Sequence, residues 1–344
     1  MISFTCDYND GAHPLILQRL TETNIIQEPG YGEDSFCESA KEKIRNVCKC
    51  PDADIFFLTG GTQTNATVID SLLRGYEGVV AAETGHIAVH EAGAIEFGGH
   101  KVLTVPSVEG KLSPDSLRTL LESFHNDPSK DHMVRPGMVY ISYPTEYGTL
   151  YSKTDMIEIR SICREYDIPL FVDGARLGYG LASDKADMDI RRFSKLCDVF
   201  TIGGTKVGAL CGEAVVFPRG NAPKHFFTTV KQHGALLAKG RLLGIQFDTL
   251  FTNRLYFRLG RHAVESAMIL KNIFHRKGIP MLLESPTNQQ FPILTARQAA
   301  ILETHVRFER WETLPDGRVL TRFCTSWATP EAHLLELESL LQNI

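Results

Sequence analysis

No stretch of the chain concentrates lysine and arginine, and the formal net charge is -5. Neither nucleic acid nor an anionic membrane surface is therefore an expected partner. No apolar run approaches the roughly 18 residues that span a bilayer. The first residues, Met1 to Pro14, have neither a basic opening nor an apolar stretch of about 7–15 residues, so a signal peptide is not expected. Paired CxxC spacing is missing too. The eight cysteines are scattered, and Cys48 and Cys50 lie too close for a redox or zinc pair. Reduced thiols in a cytoplasmic protein are the expected state. The histidines lack metal-ligand spacing, so no metal site is expected. Both a P-loop and the GxGxxG fingerprint are absent, which leaves ATP and NAD without support.

What is present is ordinary globular material. Apolar residues make up 43% and charged residues 22% of 344 residues, enough for one large domain and a smaller one. Strand candidates are Ile55–Leu58, Val79–Ala82, Lys101–Val105, Met138–Ser142, Leu170–Val172, Val199–Ile202 and Glu213–Phe217. Amphipathic helices lie between them. Ser113, Pro114 and Asp115 open one with a capping hydroxyl, an N1 proline and an early acid. Thr154 and Asp155 open another, with Ile159, Ile162, Cys163 and Tyr166 at helical spacing. Short, nearly all-apolar strands alternating with helices predict an α/β fold, a mostly parallel seven-stranded sheet between helices. After a long helical passage to Ile273 the pattern turns to a compact α+β ending, and Arg307–Trp311 alternates as a strand would. The expected division is 1–245 for the large domain with its N-terminal arm and 246–344 for the small one.

Three segments carry chemistry. Phe56–Leu58 runs through Thr59, Gly60, Gly61 and Thr62 into an apolar helix, so strand, glycine turn and helix N-terminus can hold a phosphate. A plain strand-to-helix turn would look the same. Asp173 ends the apolar strand after Pro169, where open α/β sheets place ligands. It could hold the proton of a pyridinium nitrogen, or simply cap a helix. Lys206 follows Gly203, Gly204 and Thr205 and meets small residues, so desolvation could make its amine nucleophilic; alone, it could equally be a surface turn lysine. Their order decides: phosphate cradle, then ring-nitrogen acid, then lysine, with His86 placed between cradle and acid to stack on a ring. That order is expected of fold-type I enzymes carrying pyridoxal 5′-phosphate (PLP) as a Schiff base on Lys206.

At these segments the chain resembles the low-specificity L-threonine aldolases of the β-eliminating lyase superfamily. The likeness runs through Tyr31–Asp34, Gly61-Thr62, Glu83–His86 with Glu91–Ala94, Thr145–Thr149, Asp173–Arg176, Gly203–Lys206 and Arg322–Trp327. It implies that Lys206 anchors the cofactor, Asp173 pairs with its ring nitrogen and His86 stacks on the ring. Gly61, Thr62 and Thr205 would join the cofactor site. Arg176 and Arg322 would clamp the substrate carboxylate, with Cys6 and Tyr31 beside them. His132 matches a family histidine near the β-hydroxyl. Lys231 and Lys239 match basic positions that reach a neighbouring subunit's phosphate, which implies a homo-oligomer, a tetramer built from dimers. Two departures stand out: Cys6-Asp7 where the family has Ser-Asp, and Ser142–Thr145 in place of a more polar segment.

The resemblance implies an aldolase that cleaves a β-hydroxy-α-amino acid, threonine or allo-threonine, to glycine and an aldehyde. A different PLP-dependent β-eliminating lyase, or a transaminase, is the alternative on the same scaffold. A non-catalytic PLP-binding protein is the other, disfavoured by the intact lysine, acid and two arginines.

Overall fold

All seven expected strands form one sheet in the computed structural model, which describes residues 1–342. They are β1 (Asp54–Leu58), β2 (Glu77–Ala82), β3 (Val102–Val105), β4 (Arg135–Ser142), β5 (Leu170–Asp173), β6 (Val199–Gly203) and β7 (Glu213–Phe217). Their order is β1-β7-β6-β5-β4-β2-β3. Strand β7 runs antiparallel to β1 and β6, and every other pairing is parallel.

Every residue of β5, β6 and β7 is buried, because each face of the sheet is covered. Successive side chains point to opposite faces, and the two cores divide accordingly. Val80, Val139, Ile141, Val172, Phe200 and Val216 join Ile159, Phe193 and Phe247 on one side. Val79, Met138, Tyr140, Phe171, Val199 and Val215 join Val68, Ile69 and Phe226 on the other. Two-sided burial is why these strands read as continuous apolar runs rather than alternating ones.

Helix starts follow their capping chemistry. Ser113 Oγ accepts from the Ser116 N–H at 3.0 Å ahead of Pro114–Asn126. The helix expected from Thr154 begins one residue earlier, at Lys153, because Ser152 and Asp155 form a reciprocal capping box.

A third core gathers Leu270, Ile273, Phe274, Phe323 and Leu334 with Ile2 and Phe4 of the N-terminus. There Ile2–Ser3 pairs in parallel with Val306–Arg307. The strands Gln289–Gln290, Ile293–Leu294, Glu309–Thr313 and Val319–Cys324 form the small sheet, so the expected strand over Arg307–Trp311 is split in two. The expected division after residue 245 falls inside the helix Arg241–Leu250. Packing changes partners further on, along Leu255–Arg276: Leu255, Tyr256 and Leu259 belong to the large core, Leu270 and Phe274 to the third.

The parallel strands end on one edge, and antiparallel β7 begins there. Glu213 stands opposite Leu58 and Gly203, and Ser142 opposite Asp173.

Candidate active site

Close backbone contact draws two of the expected motifs together. A Cβ at Gly203 would fall 2.2 Å from the Ala175 carbonyl oxygen, and one at Gly174 would fall 2.0 Å from that of Thr201. Only glycine lets the turns after β5 and β6 pack back to back, and so Asp173 and Lys206 reach one cleft. Gly61, Asn65, His86, Ser142, Glu146 and Arg176 line the same cleft.

Asp173 is buried, the last residue of β5. Its Oδ2 accepts from Asn65 Nδ2 at 2.9 Å and from the Tyr140 hydroxyl at 2.7 Å, and its Oδ1 accepts from the Ala175 N–H at 2.8 Å. Burial pushes the carboxyl upward. The charge of His86 and these hydrogen bonds outweigh that, and Asp173 stays below the usual carboxylate range. It is an anion held ready for a cation in the cleft.

His86 opens the short helix after β2. Its Nδ1 lies 2.6 Å from Glu91 Oε1, and its backbone N–H donates to Glu146 Oε1 at 3.0 Å. Asn65 Nδ2 also donates to Glu91 Oε1, at 2.7 Å. Asn65 therefore ties the His86–Glu91 pair to Asp173. Gly60 caps the helix Gly61–Leu72 without a side-chain bond, and neither Gly60 nor Gly61 has an atom within 4 Å of where a Cβ would stand. That open space before a helix N-terminus suits a phosphate.

Other expected residues behave differently. Thr205 turns inward: its hydroxyl donates to Glu213 Oε1 at 2.9 Å and accepts from the Gly212 N–H at 3.1 Å. Glu213 is buried, its Oε2 has no partner among the described residues, and burial raises it to about 8 against the charge of Lys206. Arg176 lines the cleft but gives Nε and Nη2 to Asp7, at 2.7 and 3.0 Å. Arg322 lies outside the cleft lining; it donates to Glu309, and to Gln289 Oε1 at 3.2 Å, with its guanidinium 5.6 Å from the Trp311 ring. The Cys6 thiol meets Asn9 Oδ1 at 2.9 Å.

His132 does not reach the cleft of its own chain. It ends the turn Lys130–His132, ahead of β4, whereas the cleft lies past the far end of that strand. At about 3.3 Å per residue, β4 carries the chain roughly 20 Å away from it. Tyr31, Lys231 and Lys239 also stay outside the cleft. Lys231 Nζ lies 4.7 Å from the Tyr31 ring, and the Tyr31 N–H bonds Ala238 next to Lys239.

Sequence reasoning gave no role to Asn65, Tyr140, Glu91, Glu146, Asp7 or Glu213. Asn65 carried a signal, since it lies one helical turn after the Gly61 cradle. Tyr140 carried none, because an aromatic in an apolar strand reads as core.

Residues 16–292 match the family described as beta-eliminating lyase. A low specificity L-threonine aldolase from a Pseudomonas strain is 29% identical over 344 residues, covering 99% of this chain and 97% of its own. The solved Leishmania major threonine aldolase is 41% identical, with a TM-score of 0.96 over 100% of this chain and 99% of that one. A Thermus thermophilus aspartate aminotransferase, at 13% identity and a TM-score of 0.71 over 100% and 91%, shares the fold. The glycine-packed turns, the buried acid and the lysine beyond it thus lie inside a matched segment that spans most of the sequence, and the chain belongs to the beta-eliminating lyase family.

Proposed function

We propose that the protein is a PLP-dependent aldolase that cleaves L-threonine or L-allo-threonine to glycine and an aldehyde. The observation that carries this reading is the meeting of Lys206 with a hydrogen-bonded, charge-retaining Asp173 in one cleft beside an uncapped helix N-terminus. The aldolases among its relatives favour cleavage over other chemistry on this scaffold.

The residues present fit the cofactor. When bound, PLP supplies an aldehyde that condenses with amines and a protonated ring that takes up the electron pair of a broken bond. Lys206 would hold the aldehyde end, and Gly61 and Thr62 the phosphate. Asp173 would keep the proton on the ring nitrogen. The His86 ring, oriented by Glu91, would lie against the ring face. Arg176, braced by Asp7, and Arg322 would bind the substrate carboxylate, with Cys6 near them. Thr205 acts through Glu213 to brace the lysine turn. Tyr31, Lys231 and Lys239 lie outside the lining of the cleft that holds their own Lys206, which favours their serving a neighbouring subunit in a homo-oligomer, a tetramer of dimers. Eight unpaired cysteines favour a cytoplasmic setting.

The test is product analysis. Incubation with threonine and with allo-threonine should release glycine and acetaldehyde in equal amounts. A keto acid with ammonia would replace this reading by elimination, and a keto acid dependent on a second amino donor would replace it by transamination.

A further inference from the structure

Cleavage of a β-hydroxy-α-amino acid needs a group that takes the hydroxyl proton as the Cα–Cβ bond breaks. His132 stands at the opposite end of β4 from its own cleft. His86 has Nδ1 engaged by Glu91, and its ring would lie against the cofactor. One further titratable side chain lining the cleft has no assigned role. We propose that Glu146 accepts the β-hydroxyl proton of the substrate. This rests on the aldolase reading.

The geometry is that of a doorway. Glu146 is 9% exposed, and it lines both the cleft that holds Lys206 and Asp173 and the adjoining cavity of about 490 Å³. Tyr147, Leu282, Trp311 and Leu320 form much of that second cavity. An amino acid whose Cα is held near Lys206, and whose substituent extends into the aromatic cavity, carries its Cβ past the Glu146 carboxyl. The carboxyl is fixed in place. Its Oε1 accepts from the Ser142 hydroxyl at 2.6 Å and from the His86 N–H at 3.0 Å. Its Oε2 accepts no hydrogen bond from another described residue and remains for the substrate. Burial pushes Glu146 above the usual carboxylate range, against the Ser142 hydrogen bond and the charge of His86, which brings it nearer to a general base's working value.

The step balances without a co-reactant. The hydroxyl proton passes to a carboxylate oxygen of Glu146, and the O–H electron pair becomes the second C–O bond of the aldehyde. The Cα–Cβ pair stays with Cα, which takes one proton to become glycine. Glu146 releases the proton it accepted, so no net proton or electron is gained.

Glu146→Gln is the direct test, because the amide oxygen keeps both hydrogen bonds at Oε1 and only proton transfer is lost. Three quantities are measured on the holoenzyme: threonine cleavage, exchange of the α-proton of glycine for deuterium by NMR, and the visible absorbance change on titrating glycine. Glycine has no hydroxyl, so its exchange does not need this base. The expected result is cleavage lowered by about 10²-fold or more, with glycine exchange within about threefold of wild type and the absorbance titration unchanged. Cleavage within threefold of wild type overturns the proposal. Equal loss of cleavage and exchange overturns it too, since that is the mark of a structural role. A wild-type chain that releases no glycine from threonine overturns the aldolase reading and this proposal with it. If Glu146→Gln binds no cofactor, Ser142→Ala decides. Loss of that hydroxyl raises the Glu146 value, so the acid limb of the cleavage profile should move to higher pH while the limb for glycine exchange stays. The titratable groups around Glu146 include His86 at the start of its helix, Asp173 of β5, Tyr140 of β4, and Tyr147 and Tyr151 beyond β4; Arg176 and Lys206 line the same cleft, and His90, Glu309, Arg310 and Glu312 the adjoining cavity. An unmoved acid limb overturns the proposal.

Discussion

Asp7 is buried without solvent exposure, and the Arg176 side chain it meets is only 11% exposed. Two charged hydrogen bonds of 2.7 and 3.0 Å join them, and Asn288 Nδ2 adds a third to Asp7 at 2.9 Å. Asp7→Asn keeps the shape and removes the charge, which leaves a guanidinium in the interior without its counterion. Removing one partner of a buried pair costs about 3–5 kcal/mol. The amide oxygen can still accept one bond, which puts this change near about 3 kcal/mol. At about 2–4 °C per kcal/mol, Tm should fall by about 6–12 °C. The pH dependence has a definite sign. Burial pushes Asp7 up, but Arg176 and Lys206 outweigh it and hold the carboxyl below its ordinary 3.8. Its stabilisation is therefore full above about pH 4 and is lost as pH falls through the lower folded-state value. The assay is thermal and urea denaturation of both proteins from pH 7 to pH 3, at fixed protein and cofactor concentration. A Tm loss under about 2 °C at pH 7, or a gap just as wide at pH 3, would refute the reasoning.

Asp173→Asn should retain the cofactor and lose most cleavage, because a neutral amide does not hold the ring proton; turnover within about threefold of wild type, roughly 0.7 kcal/mol of barrier, would contradict that role. Cys6→Ser should leave cleavage equal or improved with a lower KM, since a hydroxyl donates a stronger hydrogen bond than a thiol; loss of turnover would mean a specific task for the thiol. Arg322→Ala should raise KM by the equivalent of about 1.5–3 kcal/mol, and an unchanged KM would move the carboxylate clamp elsewhere. Glu213→Gln follows from a carboxyl raised to about 8. A raised folded-state value means that Glu213 stabilises the fold less and less as pH rises from about 4.5 to 8. The variant should gain stability relative to wild type across that window, and denaturation midpoints that stay parallel from pH 5 to pH 9 would count against it.

The seven sheet strands were legible because burial on both faces leaves no polar alternation to confuse them with turns. Asp173 and Lys206 were legible for a related reason: the glycines that let their turns touch are written beside them. The rest depends on facts that neighbouring residues do not encode. Tyr140 and Asn65 reach Asp173 from another strand and from a helix, and nothing in a strand's apolar pattern says that one phenol will meet a carboxylate. Glu146 comes from a loop, where no periodicity exists to read. His132 stands away from its own cleft because an extended eight-residue strand lies between them, a separation that a count along the chain does not show. One continuous helix, Leu255–Arg276, serves two cores, so the apolar pattern does not mark where packing changes partners. Arg322 and Arg176 were found as arginines, but their partners Glu309 and Asp7 were not, since each pair spans separate segments.

On this reading Lys206 carries the cofactor beside Asp173. Purified protein supplied with pyridoxal 5′-phosphate should absorb in the visible, and borohydride should fix the cofactor irreversibly. Proteolysis and mass spectrometry then locate the label. One labelled peptide is expected, with the cofactor on Lys206; a label on any other lysine, or none, would rule out this linkage.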